Sequence, residues 1–119
     1  LYPEVRADTV EQVWVLCLDR KNKLIRAEAV ISGTATGTLV HPREIFRPAI
    51  RHGASGVIIA HNHPSGDPSP SYEDLKVTKK LRQAAKYVDI ALHDHVIIGE
   101  PDFDPEELGY FSFSDASLI

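Results

Sequence analysis

The sequence lacks most of what would direct a chain into a membrane, onto nucleic acid or into a disulfide framework. Cys17 is the only cysteine, which excludes an intrachain disulfide and any zinc site built from several cysteines, and suits a reducing cytoplasm. It lies within VWVLCLD, where a small core residue is the economical reading and a reactive thiol the alternative. No apolar run exceeds a few residues, so no transmembrane helix is expected, and no charged-then-apolar leader resembles a signal peptide. Lysine and arginine number 13 against 17 acidic residues and are spread along the chain. The formal net charge of -4 leaves no overall basic field to attract nucleic acid. Methionine is missing as well, and the chain opens on Leu1, as expected of a piece of a longer protein.

What is present suits one soluble globular domain over residues 1–119, with 43% apolar and 25% charged residues around a single core. VWVLCLD (13–19) and LIRAEAVI (24–31), separated by a polar turn, read as a β-hairpin. The small residues of SGTATG (32–37) read as a connection and TLV as a short strand. Pro42 opens a helix over HPREIFRPAIRHG, with an apolar stripe of Ile45, Phe46, Ala49 and Ile50. Pro48 inside it removes a hydrogen bond to the residue four back, so a kink or an irregular first turn is expected. GVIIAHNH (56–63) has the continuous apolar pattern of a strand covered on both faces and is the candidate for the sheet centre. Residues 71–87 follow as a second helix, with Leu75, Thr78, Leu81, Ala85 and Val88 at helical spacing. A strand or a pair over 89–99, an acidic proline-containing loop and a short edge strand over 110–115 complete an α/β arrangement around one mixed sheet.

The chemistry gathers in HNHPSGDPSPSYED (61–74). His61 and His63 are two apart at a strand end, and the strand period of two puts both imidazoles on one face. Pro64, Gly66, Pro68 and Pro70 stiffen the turn, and the chain re-enters a helix at Ser71 whose first turn carries Asp74. Two imidazoles and one carboxylate are three zinc ligands, leaving a fourth position for water as in a catalytic zinc site. Bound zinc lowers that water's pKa to about 7. Ser71 and Asp74 also fit a helix-capping box, although aspartate is shorter than the usual Glu or Gln. Capping alone gives no reason for two histidines on the adjoining strand end.

Written as His-x-His-x7-Ser-x2-Asp, this stretch resembles the motif of the JAMM/MPN+ metalloproteases, and HNHPSGDPSPS resembles their RadC branch. EQVWVLCLD, LIRAEAVISGT, HPREIF, DHVIIG and YFSFSD resemble RadC segments in the same order, covering nearly the whole chain. Full-length members of that family usually carry a helical, helix-hairpin-helix-like N-terminal region, which these residues do not contain. The resemblance implies a JAB/MPN-like mixed β-sheet sandwiched by helices, with an architecture related to the cytidine deaminases. It implies one zinc ion held by His61, His63 and Asp74, and Ser71 as a hydrogen-bond donor to an oxyanion. It also implies a glutamate as general base, drawn from a segment leading into the first strand. Of Glu4, Glu11, Glu28 and Glu44, Glu11 fits that description, because it immediately precedes VWVLCLD. Glu44 sits where a helix dipole already explains an acid, and Glu28 lies within a strand between alanines.

A second polar group, His93-Asp94-His95, has the spacing of another strand-face pair. It reads as buried hydrogen-bonding or site-wall residues, with support of the metal ligands as the alternative. His41 is expected in a turn and His52 at a helix C-terminus.

Three functions follow. The first is a zinc-dependent hydrolase of amide or isopeptide bonds acting on a peptide or protein. The second is a DNA-repair or nucleic-acid role, which the acidic balance does not support. The third is a non-catalytic module that retains the metal.

Overall fold

The computed structural model describes residues 11–32 and 41–119. The TLV strand, most of SGTATG and Glu4 fall outside them. The described elements are β1 (Gln12–Leu18), β2 (Leu24–Ser32), α1 (Pro42–Arg51), β3 (Gly56–Asn62), α2 (Tyr72–Val88), β4 (Ala91–Ile98) and β5 (Tyr110–Ser112). They form one mixed sheet in the order β2-β1-β3-β4-β5, with β3 central as its unbroken apolar run predicts. The β1–β2 hairpin and the β1–β3 and β4–β5 pairs are antiparallel, whereas β3 and β4, joined through α2, are parallel. The hairpin turn is held by Asp19, whose carboxylate accepts from the backbone N–H groups of Lys21 and Lys23.

Sheet register sorts the side chains into two layers. Val15 lies opposite Ile59 and Cys17 opposite Val57, and both helices pack on this face. Ile45, Phe46 and Ala49 of α1 and Leu81 and Ala85 of α2 join them in the larger core. Burying Leu81 fully is worth about 1.5–3 kcal/mol. The other face carries Leu16, Ala60 and Ile98 with Trp14, Ile58 and Val96, and among the described residues no helix covers it. The expected α/β fold around a mixed sheet is therefore observed, with α1 and α2 in one layer. Cys17 is fully buried and burial pushes its thiol pKa up, which leaves it an inert core residue.

Several local expectations are adjusted by packing. The helix α1 runs from Pro42 to Arg51 through Pro48, whose ring is buried, while Ile50 of the expected stripe is 61% exposed. On α2 the buried positions are Thr78, Leu81 and Ala85, whereas Leu75 and Val88 face solvent. Residues 89–99 yield a single strand, and the edge strand is confined to Tyr110–Ser112 because the chain turns away after Phe113. The register of β4 against β3 shifts between Val57 and Ile58, so that Leu92 pairs with Val57 and Asp94 with Ile58. His93 is the extra residue of this bulge. A bulge breaks the period of two, so His93 is exposed while His95 is buried on the helix-covered face. The strand-face pair suggested by spacing does not form.

Candidate metal centre

The site lies at the carboxyl end of β3, beside the N-terminus of α2. His61, 5% exposed, points to the helix-covered face within the last residues of β3. His63 follows one residue beyond the strand, with the two ring centroids 5.1 Å apart. Residues 64–71 return the chain over them. In that turn Gly66 adopts φ +93°, a left-handed conformation that favours glycine, and its carbonyl accepts from Glu100 N–H. Gly99 lets the loop approach this closely, because a Cβ there would strike the Gly66 carbonyl and the Pro68 ring.

Ser71 then caps α2. Its Oγ accepts from Asp74 N–H at 3.0 Å, and Asp74 Oδ2 accepts from Ser71 N–H at 2.8 Å. The capping box is thus complete with aspartate in place of the usual Glu or Gln. The same carboxylate meets the histidines: Oδ2 lies 3.0 Å from His63 Nε2 and Oδ1 3.3 Å from His61 Nε2. His63, His61 and Asp74 each offer one ligand atom, all within 4.8 Å of one another, so the group can hold a metal ion.

Two observations test the fit of a metal to these residues. His63 Nδ1 lies 2.9 Å from the Asp67 carbonyl, which can only accept, so Nδ1 carries the hydrogen and Nε2 is the nitrogen left for a ligand bond. The His61 Nε2 contact with Asp74 is off-line for a hydrogen bond, and this nitrogen is buried without a hydrogen-bond partner. An orphaned polar atom costs about 1–3 kcal/mol, and a metal held between the three side chains removes that cost. The residues present fit the group.

Electrostatics are coupled. Burial disfavours the charged form of Asp74, but its contacts with His61 and His63 and the Ser71 N–H outweigh it and hold the carboxyl well below the usual range. Burial also disfavours charged His63, yet the hydrogen bonds to Asp74 and to the Asp67 carbonyl prevail and raise its pKa. In chelator-treated protein, the His63 contribution to stability is full below its unfolded pKa of about 6.5 and fades as pH rises through the higher folded value. The Asp74 contribution is present above about pH 4 and fades as pH falls below it. The stability lost in His63→Ala is therefore expected to be greatest between about pH 4 and 6.5, as read from urea unfolding in chelator across pH.

Glu11 stands immediately before β1, with Oε2 3.9 Å from His61 Nε2. Its backbone is located by the next residue, since Gln12 N–H donates to Asn62 Oδ1 at 2.6 Å. Burial raises the Glu11 pKa against the lowering effect of His61 and His63. The other two described candidates, Glu28 and Glu44, are engaged elsewhere. Glu28 pairs with Arg51 and lies 3.6 Å from His52, and Glu44 pairs with Arg43 and Arg47. His41 is the N-cap of α1, with no side-chain capping hydrogen bond, and His52 is its C-cap.

Two residues near the site carried no site signal, or a weak one, in the sequence. His95 is 2% exposed, with Nε2 2.8 Å from His61 Nδ1 and its ring stacked on Phe113 at 4.6 Å. Thr78, legible only as part of an apolar stripe, hydrogen-bonds His95 Nδ1 and donates to the Asp74 carbonyl at 2.9 Å. Asp94, on the opposite face of β4, accepts from Ser112 Oγ at 2.6 Å and so secures the short edge strand.

Fold and site together define an α/β domain with a His-His-Asp group, able to hold a metal ion, at the carboxyl end of its central strand. The chain belongs to the RadC-like JAB domain family, which matches residues 1–118. UPF0758 protein STH371 of Symbiobacterium thermophilum is 44% identical over 119 residues, covering 100% of this chain and 48% of the relative. A UPF0758 protein of Picosynechococcus sp. is 56% identical over 93 residues, 78% of this chain and 38% of its own length. One from Thermotoga maritima is 48% identical over 105 residues, 88% and 44% of the two chains. The chain thus spans about half the length, or less, of the curated relatives it matches. No described helix is long and apolar enough to cross a membrane.

Proposed function

We propose that the domain is a zinc-dependent hydrolase of amide or isopeptide bonds in a peptide or protein substrate. The observation that carries this reading is His61 Nε2, buried without a hydrogen-bond partner between Asp74 and the Glu11 carboxylate. His61, His63 and Asp74 hold the ion, which when bound supplies Lewis acidity toward a carbonyl and lowers the pKa of water to about 7. Glu11 takes the proton of the attacking water and passes it to the leaving amine; a carboxylate whose pKa burial has raised is better matched to that task near neutral pH. Ser71 donates its hydroxyl hydrogen to the developing oxyanion, a contact worth about 3 kcal/mol. Capping does not compete with this role, because the cap uses a lone pair of Ser71 Oγ and leaves the hydrogen for the substrate.

The test is metal content and anomalous scattering on zinc-loaded protein, followed by cleavage of a library of linear and isopeptide-linked peptides. Cleavage that chelator abolishes and zinc restores is the expected result. Stoichiometric zinc with no cleavage across the library would overturn the hydrolase and leave a non-catalytic metal module.

A further inference from the structure

We propose that Thr78 and His95 are positioning residues that lock His61 in the tautomer with hydrogen on Nδ1, keeping its Nε2 lone pair turned toward Asp74 and His63. The inference rests on reading His61 as a metal ligand through Nε2, and it follows from counting hydrogens along one buried chain.

Thr78 has a single hydroxyl hydrogen, and the Asp74 carbonyl 2.9 Å away can only accept, so that hydrogen is committed there. Toward His95 the Thr78 oxygen therefore accepts, and His95 Nδ1 must carry a hydrogen. The ring of His95 touches Thr78, His61 and Phe113, with no carboxylate hydrogen-bonded to it among the described residues. The Asp94 carboxylate takes the backbone N–H of His95 rather than its ring. A second proton would place a cation in a ring 2% exposed, with no hydrogen-bonded carboxylate to make up for its desolvation. His95 Nε2 is then a bare acceptor, and the atom facing it at 2.8 Å, His61 Nδ1, must donate. The hydrogen of His61 is thereby fixed on the side away from Asp74, which also explains why its Nε2 is the buried atom left without a partner.

The chain closes on itself. It starts at the side chain of His61 on β3, crosses β4 through His95, and ends on the backbone of Asp74, whose carboxylate faces His61 again. The first turn of α2 and the orientation of His61 are coupled by it. The sister histidine needs no such device, because a loop carbonyl fixes its tautomer directly.

The experiment reads the tautomer without metal. In chelator-treated, nitrogen-15-labelled protein at about pH 8.5, where histidine is ordinarily neutral, two-bond proton–nitrogen correlations of the imidazoles distinguish a protonated from a bare ring nitrogen. Wild-type His61 is expected to show a protonated Nδ1 and a bare Nε2; the reverse would overturn the proposal whether or not any variant folds. Thr78→Val keeps the side-chain shape and removes the acceptor. His95 is then free to carry its hydrogen on Nε2, and signal from His61 protonated on Nε2 should appear. Zinc affinity, measured by competition with a chromophoric chelator, should fall about 10- to 100-fold. Thr78→Ser restores the hydroxyl and should restore both readings, whereas an unchanged tautomer and affinity in Thr78→Val would overturn the proposal. If wild type shows the expected tautomer yet binds zinc without cleaving peptides, the hydrolase reading fails and the tautomer lock stands.

Discussion

Asp74→Asn is expected to leave the domain folded and to weaken zinc binding by more than about 100-fold, beyond what loss of an outer hydrogen-bonding partner costs. The carboxylate has two duties that this substitution separates. At the third helical position of the capping box it accepts the Ser71 N–H, and in the proposed metal site it brings negative charge between two imidazoles. An asparagine oxygen still accepts from Ser71 N–H, and its amide can donate to the bare Nε2 of His61, satisfying that orphaned atom. The cap, worth about 1 kcal/mol, is therefore kept, and the metal-free protein loses only the attraction between the Asp74 carboxylate and protonated His63, a loss that fades as pH rises through the His63 pKa. Metal binding loses its only anionic ligand and is opposed by an amide hydrogen on the nitrogen that must coordinate. Chelator-competition titration and urea unfolding check the two halves. Zinc bound as tightly as in wild type would show that Asp74 is a cap and nothing more.

Glu11→Gln is expected to reduce peptide cleavage by about 10²- to 10⁴-fold, the range for loss of a general base, with zinc content unchanged. Glutamine keeps the size and the β1 contacts of the segment but cannot take a proton. Zinc binding is spared because Glu11 is not one of the three grouped ligands and stands 3.9 Å from His61 Nε2. A cleavage rate within a factor of a few of wild type would exclude Glu11 as the base. Simultaneous loss of zinc would instead place it among the ligands.

Much of this arrangement was legible because it rests on short-range rules. The unbroken apolar run ending in His61 marked the central strand, and the spacing of His61, His63, Ser71 and Asp74 marked the group that gathers around its end. Helix cap and candidate metal ligand are not exclusive readings of Asp74, since one carboxylate reaches the Ser71 N–H and both histidines. Glu11 was separable from Glu28 and Glu44 on sequence only through resemblance; in the structure the separation is physical, because the latter two are paired with arginines far along the chain or on their own helix.

The sequence by itself determined what local periodicity and turn chemistry can encode: the strands, the two helices, the proline-stiffened return of residues 64–71 and the convergence of His61, His63 and Asp74. Tertiary structure alone decided which polar residues stand behind them. Thr78 reads as one more stripe position, and His95 as a buried hydrogen-bonding or site-wall residue without a named partner, until a bulge at His93 separates the two histidines and helix packing brings Thr78 onto the His95 ring. Neither outcome is encoded locally, because a bulge arises from how two strands align and a buried hydrogen bond from how a helix settles on a sheet.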